Sequence, residues 1–534
     1  MQSTMMRQPM TLDHLLERAG HLFPRVEIVS RLPDHSLHSY TYADFHRRAR
    51  ALAEMLLRAG LQAGDRVATL MWNHYAHLEA YFGIPAAGGV IHTLNLRLAA
   101  DDLIYIIRHA QDRFLIVDDV LLPLLERLGD QVEFERIWVV PLRGAPIEHH
   151  ENYEDWLAQA CGDFTYPEKQ EDDPCGMCYT SGTTGRPKGV VYSHRSTVLH
   201  ALGVALPDSV GLSARDTVVP VVPMFHANAW GMPYSATLVG ARQVYPGPHL
   251  DAHSLLDLFI NERVTISAGV PTIWLGILQA MDSQPGRWQP QNLRLTVGGS
   301  AVPESMIARF DSYGITVIQG WGMTETSPLA SLSQLKPELL EAPKEVQYRF
   351  RAKQGLPCPL VEIRLVNDAG QEMPWDGRSM GEIQVRGPWI TGSYYQLEAS
   401  ADKFLDGWLR TGDVGVIDEL GYLKLTDRTK DLIKSGGEWI SSVDLENALM
   451  GHPAVAEAAV IAIAHPKWDE RPCAIIVKKP GAEVTPEQLD TFLLDKFAKW
   501  MLPDVYHFVD EIPRTSTGKF NKLALREQFK AQMI

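Results

Sequence analysis

An α/β fold, with a large N-terminal domain and a small α+β C-terminal domain, is what this sequence predicts. Three observations carry that reading. Short apolar runs alternate with helical patterns over the first half of the chain. Residues 355–426 are dense in short strand-like runs, which marks a small β-rich subdomain beside the layered α/β subdomains. A compact helix–strand–strand–helix unit then follows the pair Gly436-Gly437. At 534 residues the chain exceeds one ordinary core. The expected division is 1–427 for the large domain, 428–441 for a hinge and linker, and 442–534 for the small domain.

The elements follow in order. Leu12, Leu15 and Leu16 begin a helical stripe, and a second runs from Phe45 to Leu57, with Asp44 as its expected N-cap. Gly64-Asp65-Arg66 opens a strand at Val67–Met71, and a helix is predicted near His77 to Phe82. The rhythm recurs in strands at Phe114–Val117 and Arg136–Val140. His92-Thr93-Leu94-Asn95 reads as a polar interruption, and 142–174 as a solvated acidic connection. Ser193 is a good N-cap for a helix at His194. Further strands are expected at Val218–Val222, Leu293–Val297, Ile315–Ile318, Val361–Val366, Gly381–Val385 and Gly421–Leu425. The small unit reads as helix Val443–Met450, strands Val455–Ile463 and Cys473–Lys478, and helix Pro486–Lys496.

Composition excludes some classes. A formal net charge of -15 argues against nucleic acid as a general partner. Five cysteines, an odd and sparse count, fit a reducing compartment. Cys175-Gly-Met-Cys178 has C-x-x-C spacing but sits in an apolar run without a second pair, so a buried strand is expected there. No signal-peptide pattern and no apolar stretch long enough to span a bilayer is visible, so a cytoplasmic location is expected; composition leaves peripheral membrane contact open.

The most informative stretch is Tyr179 to Gly189, Y-T-S-G-T-T-G-R-P-K-G. Three glycines, four Ser/Thr hydroxyls, a proline and two cations in eleven residues rule out a helix or central strand. What remains is a loop rich in backbone N–H groups, hydroxyls and positive charge, the properties that hold a polyphosphate. Its spacing is not that of a Walker loop, because Arg186 and Pro187 separate Gly185 from Lys188.

Other candidates lie downstream. His226 and Trp230 end an apolar strand, where sheet ligands gather. Gly298-Gly299-Ser300 ends another and allows close approach of a flat ring or phosphate. Glu325, between Thr324 and Thr326, offers hard oxygens suited to magnesium on a nucleotide. Asp413, after the turn glycine Gly412, reads either as a turn former or as a ribose ligand. Two more Gly/Lys segments are Lys434–Ser441 and Pro513–Lys522.

Taken together these strings resemble the adenylate-forming superfamily of acyl-CoA synthetases, adenylation domains and luciferases. The resemblance runs from Tyr40 to Lys519 and is strongest to bacterial medium- and long-chain fatty acyl-CoA synthetases, through Val222–Trp230, Lys434–Ser441 and His465–Pro472. The same subgroup includes methylmercaptopropionate-CoA ligases, so the same chemistry on a short sulfur-containing acid or an aromatic acid is the alternative. The resemblance implies ATP, a carboxylic acid and coenzyme A as substrates, Mg2+ as cofactor, a mobile C-terminal domain and a homodimer. It implies that Thr180, Ser181, Gly182, Thr183, Thr184, Gly185 and Lys188 hold the β- and γ-phosphates, with Thr180 and Glu325 on the metal and Thr324 at the α-phosphate. Gly298, Gly299, Ser300, Gln319, Gly320 and Trp321 would form the adenine pocket, Trp321 standing where the family usually has Tyr. Asp413 and Arg428 would take the ribose hydroxyls, and Lys519 the reacting carboxylate and α-phosphate. Lys430 matches the hinge, and Lys434 to Trp439 the face serving the second half-reaction. His226 would place the acyl carboxylate, and Trp230 resembles a gate to an apolar tunnel, with 204–210 and 326–332 as its expected lining. A non-catalytic binding protein of this fold would be expected to lack Lys188, Glu325 or Lys519, and all three are present.

Overall fold

The computed structural model describes residues 1–144, 146–180, 186–397, 402–436, 438–515 and 520–529. Two large sheets organise the first part of the chain. In the nine-stranded sheet the central strands Arg242–Tyr245, Thr217–Pro220, Ile266–Gly269, Arg294–Val297 and Thr316–Gly322 run parallel. Antiparallel strands close both edges, Leu37–Thr41 on one and Leu329–Leu332 with Leu356–Pro357 on the other. The seven-stranded sheet centres on Arg66–Leu70, parallel to Val90–Thr93 and Asp112–Asp118. Its far edge is a hairpin of Pro174–Tyr179 and Gly189–Ser193, so the Gly-rich loop is the connection of that hairpin.

The central strands are mostly buried because helices cover them. The helix Tyr75–Ala86 is buried along its whole length, and most of one large apolar cluster lies between the sheets and their helices. Both predicted N-terminal helices form, as Leu12–Leu22 and Tyr42–Arg58. The N-cap of the second is Thr41, one turn before the expected Asp44. Thr41 Oγ1 accepts from Asp44 N at 3.3 Å and Asp44 Oδ2 accepts from Thr41 N at 3.1 Å, a reciprocal capping box. Ser193 caps the helix His194–Ala205 as expected.

Three local expectations need correcting. His92 does not interrupt structure: it lies in the strand Val90–Thr93, fully buried, with Nδ1 2.7 Å from Asp112 Oδ2. The connection 142–174 is docked, not simply solvated. It contains the helix Tyr153–Leu157, whose Trp156 stacks on Trp138 at 4.1 Å, and buried Lys169 pairs with Asp13 at 2.8 Å. Its acidic run hid this amphipathic turn. Asp413 is not in a turn: it sits within the strand Trp408–Ile417, opposite Arg428.

The β-rich part forms a five-stranded sheet of Glu362–Val366, Gly381–Arg386, Phe404–Leu405, Trp408–Ile417 and Leu423–Arg428. The small C-terminal sheet pairs Val455–His465 with Asp469–Lys478, and adds Val505–Phe508 and the hairpin Ile433–Ser435/Glu438–Ile440. Its two faces carry separate apolar clusters, under Ser442–Met450 and Pro486–Leu494 on one side and Lys522–Phe529 on the other. Cys175 and Cys178 are free and buried, and burial pushes the Cys175 thiol up to about 12. Such thiols are inert, as the apolar-strand reading expected.

Candidate active site

The carboxyl ends of the parallel strands of the nine-stranded sheet, the Gly-rich hairpin and the β-rich subdomain meet around one cavity. Ligands of open α/β sheets bind at this place. The hairpin supplies one wall of it. Thr180 N donates to Lys188 O at 2.9 Å, and Lys188 N donates to Thr180 Oγ1 at 3.0 Å, which closes the base of the loop. The expected contacts at Ser181, Gly182, Thr183, Thr184 and Gly185 lie outside the described residues, as does Lys519.

Glu325 is buried beside this wall in the short 3-10 turn Thr324–Thr326. The Tyr394 hydroxyl donates to Glu325 Oε1 at 2.6 Å, and the Lys188 ammonium rests 4.8 Å from the Tyr394 ring centroid. Tyr192 donates to the Thr324 carbonyl at 2.8 Å, which fixes the turn from the hairpin side. Among the described residues no group of three or more His, Cys, Asp or Glu could cage a metal alone. One buried carboxylate and the Thr180 hydroxyl facing a polyphosphate loop fit Mg2+, which keeps most of its coordination for phosphate and water.

Charge is distributed unevenly around the cavity. Arg186, Lys188, Lys403, Arg410, Arg428 and Lys430 line it, against Glu325 and Asp413. Six cations face two carboxylates in a chain of formal charge -15, so the cavity attracts a polyanion that the rest of the surface repels. Asp413 is held from both sides: Trp321 Nε1 donates to its Oδ2 at 3.0 Å and Arg428 Nε stands 3.4 Å from its Oδ1. A tyrosine at position 321 would have no indole N–H to give Asp413, so Trp321 does more than stack. Lys430 lines the same cavity, and desolvation lowers its pKa.

Gly298, Gly299 and Gly320 line the cavity, and a Cβ at Gly298 would stand 3.1 Å from Trp230 Cη2, so the indole would have to give by a few tenths of an ångström. Gln319 and Ser300 are not on the lining. Gln319 is buried behind it, where its Oε1 accepts from Val302 N at 2.9 Å, and Ser300 is exposed. Lys434 and Trp439 also lie away from the lining. They pair across the C-terminal hairpin with the ammonium 4.6 Å from the indole centroid.

The same cavity is also lined by apolar residues, Val204, Val210, Met232, Val270, Val297 and Leu329. His226 and Trp230 line it as well, on an unusual turn. Ala227, Asn228, Ala229, Trp230 and Gly231 have φ of 42°, 53°, 49°, 57° and 72°, so this turn after the strand is left-handed. Left-handed backbone costs about 1–2 kcal/mol for each side-chain-bearing residue. Gly231 ends it beneath His200, where a Cβ would come within 2.6 Å of Nδ1. Burial pushes the His200 pKa down to about 3, so its imidazole is neutral and its Nε2 accepts from Leu329 N at 3.3 Å.

The sequence gives no signal for Lys403, Arg410 or Tyr394. Lys403 and Arg410 are ordinary cations until the β-rich sheet folds against the hairpin. The doublet Tyr394-Tyr395 is the one mark that could have flagged Tyr394.

Comparison with known proteins agrees with this geometry. Residues 16–395 match the AMP-binding enzyme family and residues 444–519 match the AMP-binding enzyme C-terminal domain. A long-chain-fatty-acid–CoA ligase of Thermus thermophilus is 52% identical over 531 residues, spanning 99% of this chain and 97% of that protein. A 3-methylmercaptopropionyl-CoA ligase of Ruegeria pomeroyi is 44% identical over 532 residues, spanning 98% of both. The crystal structure of the anthranilate CoA ligase AuaEII in complex with anthranoyl-AMP superposes with a TM-score of 0.87 at 26% identity, covering 99% of each chain. The chain belongs to the AMP-binding enzyme family.

Proposed function

We propose that this protein is a fatty acid–CoA ligase acting on medium- or long-chain acids. It is an ATP-dependent, AMP-forming acyl-CoA synthetase. The acid carboxylate attacks the α-phosphorus of ATP, giving an acyl-adenylate and pyrophosphate. The thiol of coenzyme A then attacks the acyl carbonyl and AMP leaves. The observation that carries this reading is one cavity whose lining combines six cations with an apolar set and His226 and Trp230.

The chain's own groups divide the work. The Gly-rich loop and Lys188 hold the β- and γ-phosphates as they depart. Asp413, fixed by Trp321 and Arg428, takes the ribose hydroxyls, and Gly298, Gly299 and Gly320 leave space for the adenine. Thr324 faces the α-phosphate and His226 orients the carboxylate. Lys519 neutralises charge at the reacting centre as a flexible point charge. Thr180 and Glu325 hold Mg2+, which when bound neutralises phosphate charge. Lys430 acts as hinge, and the Lys434–Trp439 face serves thioester formation. Closure of the small domain excludes water from a hydrolysable adenylate. Trp230 gates the acyl space. We place the enzyme in the cytoplasm as a homodimer; among the described residues no helix is long and apolar enough to cross a membrane.

A second reading, a ligase for a short sulfur-containing acid, is supported by the 44% identity to the Ruegeria pomeroyi protein. Pyrophosphate release measured over saturated acids of increasing length and 3-methylmercaptopropionate separates the two. A maximum at medium or long chains supports the first reading, and a maximum on the short acids overturns it.

A further inference from the structure

The left-handed turn at 227–231 carries an assignment of its own. Among the described residues it is the only run of consecutive side-chain-bearing residues at positive φ. Backbone of this kind persists only where its surroundings over-determine it, and it gathers at functional sites.

The entry to the turn is pinned from the seven-stranded sheet. Buried Asn73 donates through Nδ2 to Pro220 O at 2.9 Å and Val222 O at 2.8 Å, and accepts from Met224 N at 2.7 Å. Thr93 Oγ1 donates to Phe225 O at 3.3 Å. The exit is fixed by Gly231 N, which donates to Asn228 O at 2.9 Å. Between these points Ala227 and Ala229 have no side chain that could hold the backbone. Asn228 does: it is 5% exposed, and its Oδ1 accepts the Cys178 thiol proton at 3.3 Å. Asparagine also tolerates left-handed backbone better than other side-chain-bearing residues. Cys178 lies two residues before Thr180, on the strand that leads into the phosphate loop. The Asn228–Cys178 contact therefore joins the acid-facing turn to the phosphate-facing loop.

We propose that Asn228 is a positioning residue for the acid. It keeps the 227–231 turn left-handed and so fixes His226 and Trp230 relative to the phosphate loop. The proposal rests on the acid–CoA ligase reading. Residue 228 has two separable jobs, adopting αL backbone and binding Cys178. Glycine does the first at little cost and not the second; alanine does neither.

The test is steady-state pyrophosphate release by the full chain, with decanoate and 3-methylmercaptopropionate as acids and with ATP varied separately. Asn228→Ala should lower kcat/KM for the better acid by about tenfold to a hundredfold, the scale of misplaced reacting groups, while KM for ATP stays within about twofold. Asn228→Gly should recover several-fold over Asn228→Ala. A merely structural packing role predicts the reverse order, because glycine removes still more contact. The proposal is overturned if Asn228→Gly is no better than Asn228→Ala, if acid kcat/KM is unchanged, or if KM for ATP rises in parallel. An Asn228→Ala chain that fails to fold beside a folded, active Asn228→Gly supports it. If neither folds, Cys178→Ala carries the test: reduced acid kcat/KM with unchanged KM for ATP supports the proposal, and no change overturns it. A wild-type chain inert to every acid overturns the ligase reading and this proposal with it. An active wild type with unaffected variants overturns the proposal alone.

Discussion

The Tyr394 hydroxyl donates to Glu325 Oε1 at 2.6 Å, while the same ring carries the Lys188 ammonium on its face at 4.8 Å. One side chain from the β-rich subdomain thus fixes the proposed metal ligand and the phosphate-loop lysine together. The bond uses one of the carboxylate's acceptor sites and leaves the others for a metal.

Tyr394→Phe keeps the ring and its cation contact and removes only the hydroxyl. A hydrogen bond to a charged group contributes about 1.5–3 kcal/mol. The expected outcome is a roughly tenfold or greater rise in the Mg2+ concentration needed for half-maximal rate. Calorimetric titration of MgATP into the variant should weaken in parallel. An unchanged Mg2+ requirement would show that Glu325 needs no such support.

Trp321→Phe preserves a stacking surface but removes the indole N–H that Asp413 Oδ2 accepts. KM for ATP should rise with little change in KM for the acid. Trp321→Tyr should behave like Trp321→Phe, since neither ring places an N–H at that point. Equal effects on both substrates would place Trp321 in general packing instead.

Val210 is one of the apolar residues lining the cavity, and Val210→Trp would fill part of its volume. The preferred acid should shorten by several carbons in a chain-length panel, with KM for ATP unchanged. A uniform loss at every chain length would mean that Val210 does not border the acyl space.

Three buried histidines make stability depend on pH. Burial lowers His77 and His200 to about 3 and His194 to about 4, from an ordinary value of 6.5. Below about pH 6.5 the unfolded chain binds these protons and the folded chain does not. Stability is therefore complete above pH 6.5 and falls as the pH drops toward 4, each site adding a slope of about 1.4 kcal/mol per pH unit. Thermal midpoints between pH 7.5 and 4.5 should show this decline. His77→Gln, which can still meet Thr69 Oγ1 and the Trp72 carbonyl, should flatten it.

Much of this molecule is legible in its sequence because local rules decide it. The strand Arg136–Val140 and the Ser193 cap appear where apolar runs and capping chemistry put them. That Tyr179–Gly189 is a connection and not a helix or central strand is likewise local, since its glycines and proline break both, and it joins the two strands of a hairpin. Asp413 was ambiguous because a glycine before an acid signals a turn, whereas pairing with Leu423–Arg428 carries the strand straight through. Tyr394, Lys403 and Arg410 gain meaning only when two distant sheets meet. The left-handed turn at 227–231 could not be read from Ala-Asn-Ala-Trp, whose propensities favour right-handed helix; contacts from Asn73, Cys178 and His200 override them.

The account stands most directly on the products formed from one acid, ATP and coenzyme A. With a medium- or long-chain acid, the wild-type protein should yield acyl-CoA, AMP and pyrophosphate in equal amounts, and Lys519→Ala should lose pyrophosphate release yet still form acyl-CoA from supplied acyl-adenylate. Formation of ADP and phosphate in place of AMP and pyrophosphate, or equal loss of both steps in Lys519→Ala, would contradict it.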